Sequence, residues 1–299
     1  SMSAQPPKTP KALLRNSRQF RFVPYGEPVP PSPGLLTISC DGRVEGSTLE
    51  LTHWTDNITP STLYGDTSTE IALNFARALK DGEYTDFHDA LVCNNHYDTD
   101  GVLSVWTCLN PEEALKRSPL LIAGAEAGDF GEWSSDSGVK LNCALEELAD
   151  NCSSEEEAYS VALEKLPKLL DDLQSFENLW GVGWKHALSG WDAICDGNVK
   201  ISVIDRIAIV DEASGKLSPY ALHRGLRNKG VSGDQPGAAW RILRGFPEKQ
   251  GWSYAYEKPG YGWVSRLVKR QSVPLADGET IVAGLNEKFG EECWSTGGG

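Results

Sequence analysis

The sequence predicts an α/β fold, a layered sheet with helices on both faces, plus a smaller C-terminal β-rich α+β domain. Three observations predict it. Short apolar, β-branched runs alternate with helical stripes over residues 35–130. Residues 141–195 are acidic and amphipathic, the pattern of two or three helices. The last third is rich in Gly, Trp and Tyr and carries further β-branched runs.

Taken in order, residues 1–34 are Pro-rich and basic, and read as an irregular arm with one short strand at residues 20–23. Residues 35–40 form an apolar strand that ends at Asp41-Gly42, a turn pair. Residues 47–52 alternate as a second strand and end at His53-Trp54. Asp66, Thr67 or Ser68 can cap a helix with Glu70 in its first turn and Ile71, Phe75 and Leu79 on its apolar stripe. A strand at residues 90–93 runs into the polar string Asn94–Gly101, and a helix follows through Val102, Val105, Trp106 and Leu109. The apolar run 120–124 reads as another strand, leading to Asp129 among glycines. Residues 201–204 and 207–210 resume strand character, and a helix near 280–289 closes the chain. The domains expected are an arm (1–34), an α/β metal-binding domain with an acidic helical region (35–195) and a C-terminal substrate-gripping domain (196–299).

Charge narrows the function. The net charge of −14 disfavours long nucleic acids, which need a basic surface. Yet residues 221–270 hold ten Lys and Arg against Asp234, Glu248 and Glu257. A basic island in an acidic chain suits a small anionic ligand. His223, Arg224, Arg244 and Arg266 are its candidate grips, because arginine forks match bidentate anions. Trp252, Tyr254, Tyr256, Tyr261 and Trp263 alternate along a hairpin-like segment around Pro259-Gly260, and either stack on a flat ligand or pack on the helical region. The seven cysteines form no C-x-x-C pair and read as buried small side chains rather than a disulfide or zinc framework. No window reaches the roughly 18 apolar residues of a membrane helix, and the first residues have no apolar signal core. A cytoplasmic location without membrane association is therefore expected.

The segment His96-x-Asp98-x-Asp100-Gly101 carries the most chemistry. In an extended chain its three ligand types fall on one side, and Gly101 permits a sharp turn into the helix. Carboxylates so crowded repel unless a divalent cation neutralises them. Mixed His and Asp donors suit Mn²⁺, with Fe²⁺ or Zn²⁺ also possible. The bland alternative is a polar loop in which Asp100 caps the following helix. Asp41, His53 and Asp129 also follow apolar runs, and strand ends are where open α/β sheets bind ligands.

His96-x-Asp98-x-Asp100-Gly101-Val-Leu-Ser104 resembles the first metal-binding motif of the DHH phosphoesterase superfamily. Residues 37–41 are similar to the second motif, a strand ending in a metal-bridging Asp. Thr52-His53-Trp54 stands where the third motif would be, keeping only its His, and residues 66–71 resemble the helix after it. Residues 121–131, with glycine-flanked Asp129, look like the fourth motif. The first motif follows the second and third here, so the resemblance implies a permuted strand order.

The resemblance implies metal ligation by Asp41, His53, His96, Asp98, Asp100 and Asp129, with Asp98, Asp100 and His53 catalytic. It implies a two-metal-activated water attacking a small phosphoester or nucleotide. Two alternatives stand beside it: a metallohydrolase (as in arginase-like proteins) or biosynthetic enzyme acting on a C–N bond of a non-phosphate small metabolite, or a non-catalytic metal- or anion-binding protein.

Overall fold

The computed structural model describes residues 17–30, 34–228, 239, 241–249, 251–257, 277–290 and 294–296. It is a layered α/β protein with two sheets. The chain divides into two compact units: residues 1–129 with 134–184, and residues 130–133 with 185–299. The boundary thus falls inside a long helix, ahead of the expected 195/196, and a short segment crosses to the second unit.

The first unit is built on a four-stranded parallel sheet of β1 (Gln19–Phe22), β2 (Thr37–Cys40), β3 (Leu49–Leu51) and β4 (Leu91–Asn94), in the order β1-β4-β2-β3. Every residue of β2 and β3 is buried, so both faces of the sheet are covered there. The expected arm needs correction: its strand is an integral edge of this sheet, paired with β4, and Val23 joins a small core with Val44 and Cys93.

Helix α1 (Ser68–Lys80) starts at Thr67, where a capping box with Glu70 satisfies two otherwise unpaired N–H groups. Ile71, Phe75 and Leu79 are buried, as their spacing requires. Helix α2 (Thr99–Leu109) is buried along almost its whole length, and a short α3 (Pro111–Lys116) follows.

The run at 120–124 is not a strand. It lies in helix α4 (Ser118–Phe130), and Asp129 sits in its last turn. Small residues misled the strand reading, because Gly and Ala at 123–125 and 127–128 serve close helix packing. A Cβ on Gly124 would come 3.0–3.1 Å from Leu141 and Leu103, and one on Gly128 would come 3.0 Å from Thr99 and Asn142. The glycines therefore let α4 lie close to α2 and to α5 (Asp136–Asp150). Helices α6 (Glu155–Asp171) and α7 (Glu177–Cys195) complete the acidic region as three helices.

The second unit carries a mixed sheet of β5 (Lys200–Ile204), β6 (Ile207–Asp211), β7 (Arg241–Glu248) and β8 (Gly251–Glu257), in that order. Strands β6 and β7 are parallel, and helix α8 (Pro219–Asn228) lies between them in sequence. Asp205 and Arg206 both adopt positive φ and close the β5–β6 hairpin. Strands β7 and β8 pair directly as an antiparallel hairpin, with Glu248 opposite Gly251. Trp252 and Tyr254 are exposed, with Tyr254 against Trp294. Tyr261, Trp263 and the Pro259-Gly260 turn lie outside the described residues. Helix α9 (Gly278–Phe289) closes the chain as expected. Among the described residues no helix is long and apolar enough to cross a membrane. Six cysteines are free and four of these are buried; Cys293 lies outside the described residues.

Candidate metal centre

Parallel strands β4, β2 and β3 are neighbours, so their carboxyl ends bring three loops together. Asp41 follows β2, His53 lies two residues past β3, and His96 and Asp98 follow β4. Asp129 arrives instead from the end of α4. All six expected ligands meet here. His53 Nε2 lies 3.1 Å from Asp129 Oδ2, 3.7 Å from Asp41 Oδ1 and 3.9 Å from Asp100 Oδ2. His96 Nε2 lies 2.8 Å from Asp41 Oδ2 and 3.0 Å from Asp98 Oδ2. Two donor groups result, Asp41–His53–Asp100 and Asp41–His96–Asp98, and Asp41 belongs to both.

The loops are built for this meeting. Asp41 has φ 60°, a left-handed conformation that Asp tolerates better than most residues. Gly42 then passes so close to Asn94 and Asn95 that a Cβ would collide with both side chains. Asn94 Oδ1 accepts from the N–H groups of Gly42 and Asn95, tying the β2 and β4 loops together. Its amide nitrogen donates to the fully buried Tyr159 hydroxyl at 2.6 Å.

Three details of the acidic string differ from expectation. The chain is extended only through Asp98, which caps α2 by accepting from Gly101 N–H at 2.7 Å. Asp100 lies in the first turn of α2 and caps a different helix: its oxygens accept from Ser68 and Thr69 N–H of α1, both at 2.7 Å. Gly101 is likewise not a left-handed turn residue. Its constraint is space, because a Cβ would sit 2.6 Å from Asn94 Nδ2 and 2.7 Å from the Tyr159 hydroxyl. Gly101→Ala should therefore cost about 1–3 kcal/mol by overpacking. A lowered melting temperature in chelator checks this, and an unchanged one refutes it.

Both imidazoles are oriented from behind. His53 Nδ1 pairs with the Asp66 carbonyl oxygen at 2.8 Å, and His96 Nδ1 with Asn95 Oδ1 at 3.0 Å. When Nδ1–H donates to these oxygens, Nε2 is the nitrogen that faces the carboxylates. Ser68 donates to Asp41 Oδ1 at 2.8 Å and accepts from His53 N–H. Asp41 Oδ2 is buried and, despite its contact with His96, receives no aligned hydrogen bond.

Burial and the neighbouring Asp98 raise Asp41 to about 7, and burial with Asp100 raises Asp129 to about 8. Burial also raises Asp100, while in Asp98 it is outweighed by His96, which holds that carboxyl low. Burial opposes the charge on both histidines, but the facing carboxylates prevail and raise each to about 10. Every group raised above its unfolded value favours the folded state at low pH and loses that contribution as pH rises. For Asp41 and Asp129 the loss runs from pH 3.8 to 7 or 8, and for the histidines from 6.5 to 10. Chelated protein should thus melt at a lower temperature at pH 9 than at pH 6. With Mn²⁺ the trend should reverse, since cations displace these protons. Melting curves at both pH values, with and without Mn²⁺, read the sign.

The expected anion grips sit in the second unit. Arg244 requires correction: it is 5% exposed, and its Nε and an Nη bind Glu212 at 2.6 and 3.0 Å. A third bond reaches the Leu217 carbonyl, so the guanidinium serves the fold. His223 is buried, accepts from Trp133 N–H through Nδ1 and has Glu132 3.9 Å from Nε2. Arg224 lies over the rings of Trp133 and Trp191. Arg266 lies outside the described residues.

Sequence reasoning missed Ser68, Asn94, Asn95 and Trp54 as parts of this site. Ser68 stood among the cap candidates, and the two asparagines stood in the polar string after β4, but only tertiary structure turns them inward. The Trp54 ring lies 5.1 Å from the His96 ring, tilted by 35°.

A family model described as a family of unknown function, DUF6687, matches residues 18–299. No curated protein and no solved structure matches the chain.

Proposed function

We propose, for a chain that belongs to the DUF6687 family of unknown function, a metal-dependent hydrolase of a small anionic substrate, a phosphoester or nucleotide. The observation that carries the reading is the pair of three-residue donor groups sharing Asp41. Asp41 can offer Oδ1 to a cation beside His53 and Asp100, with Asp129 adjoining, and Oδ2 to a second beside His96 and Asp98. The donor set fits such ions. A buried carboxylate oxygen that receives no aligned hydrogen bond, amid five further carboxylates and imidazoles, belongs to a cluster that protons only partly neutralise.

Mixed oxygen and nitrogen donors favour Mn²⁺, with Fe²⁺ or Zn²⁺ also suited. When bound, two such ions activate water and offset charge developing on a phosphoryl group. The chain's own part is orientation. Ser68 holds Asp41, the α1 N-terminus holds Asp100, and Asp66 and Asn95 turn the imidazoles so that Nε2 points inward. Adjacency of β4, β2 and β3 also supports the DHH-like reading, because the permuted loops still meet.

The test is a panel of small phosphomonoesters and phosphodiesters beside amide and guanidine substrates, with Mn²⁺ and with chelator. Chelator-sensitive release from a phosphoester is expected. Turnover confined to C–N bonds, or none that depends on metal, contradicts the reading.

A further inference from the structure

We propose that the indole of Trp54 is a stacking platform at the mouth of the metal cluster, and that the substrate carries a flat aromatic ring of nucleobase type beside its phosphoryl group. This rests on the phosphoester reading and specifies its substrate class.

Trp54 follows the ligand candidate His53 directly, and its backbone is pinned. Its N–H donates to Thr52 Oγ1 at 3.1 Å, and its carbonyl accepts from Asn57 Nδ2 at 2.6 Å. The ring leans on His96, whose Nε2 touches Asp41 and Asp98, so the indole borders one half of the cluster. Even so, Trp54 remains 37% exposed. A tryptophan whose purpose was core packing would bury far more of its large apolar surface. The ring leans on the imidazole of a ligand candidate, and the residue is still more than a third exposed. An indole so placed can receive a planar π-system, while a phosphoryl group one sugar away lies at the cluster. Stacking of this kind tolerates any base, because every base has a π-face.

Shielding of His96 would also bring a ring here, but a shield needs only bulk and does not distinguish ligands. Calorimetry on the Mn²⁺-loaded full chain separates the two roles. The probes are the non-hydrolysable phosphonate analogues of adenosine monophosphate and of ribose 5-phosphate, and Mn²⁺ content is measured in the same samples. The expected result is a preference of about tenfold for the adenosine compound. Trp54→Leu should lose that preference while keeping its Mn²⁺, and Trp54→Phe should keep most of it. Equal affinity for both phosphonates in the unaltered protein, or an undiminished preference in Trp54→Leu, overturns the platform and leaves the metal reading standing. Absence of Mn²⁺, with neither phosphonate bound, overturns the phosphoester reading and the platform with it.

Discussion

Asp41→Asn is expected to abolish Mn²⁺-dependent turnover and to reduce bound Mn²⁺ below two per chain, while the fold persists. The amide keeps the shape of the carboxylate but removes the one charge common to both donor groups. Loss of partners behind a metal ligand typically costs 10–100-fold, so loss of a shared ligand should exceed about a hundredfold in rate. Stability should move the other way in chelated protein. Asp41 is 1% exposed, and its carboxyl is already raised by burial and Asp98, so neutralising it relieves repulsion. Metal content, turnover and melting temperature measured on one preparation check all three. Full turnover in Asp41→Asn would remove Asp41 from the chemistry.

Arg244→Ala should be strongly destabilising, at about 3–5 kcal/mol. It strands Glu212, which is 0% exposed and accepts both the Arg244 fork and the Leu217 N–H. A buried carboxylate robbed of its partner cannot recover its hydration. Urea unfolding reads the loss, and adding Glu212→Gln to Arg244→Ala should recover part of it, since no unpaired charge remains. A shift below about 0.5 kcal/mol would show the pair to be dispensable, like a surface bridge.

The elements that were legible in the sequence share a local cause. The Thr67–Glu70 capping box, the Ile71-Phe75-Leu79 stripe and the β-branched run of β2 each declare themselves within a few residues. Asp41, His53, His96 and Asp98 were legible because Asp and His after apolar runs have few reasons to be there, and parallel strands then gather such ends. What failed was nonlocal. The run before Asp129 is as apolar as a strand, and only the facing Leu103, Thr99 and Leu141 explain its glycines as helix contacts. Asp100 resembles a cap for its own helix, yet it caps α1, more than thirty residues earlier in sequence. Arg244 looks like a free anion grip until Glu212 is brought beside it by the β6–β7 pairing. Charge in a sequence does not reveal whether a partner will be folded against it.

The shared role of Asp41 is tested most directly by anomalous scattering from Mn²⁺-loaded crystals. Two peaks are expected, each within about 2.3 Å of a different Asp41 oxygen, one beside His53 and one beside His96. A single peak, or peaks that leave Asp41 uncoordinated, would contradict the two-cation centre.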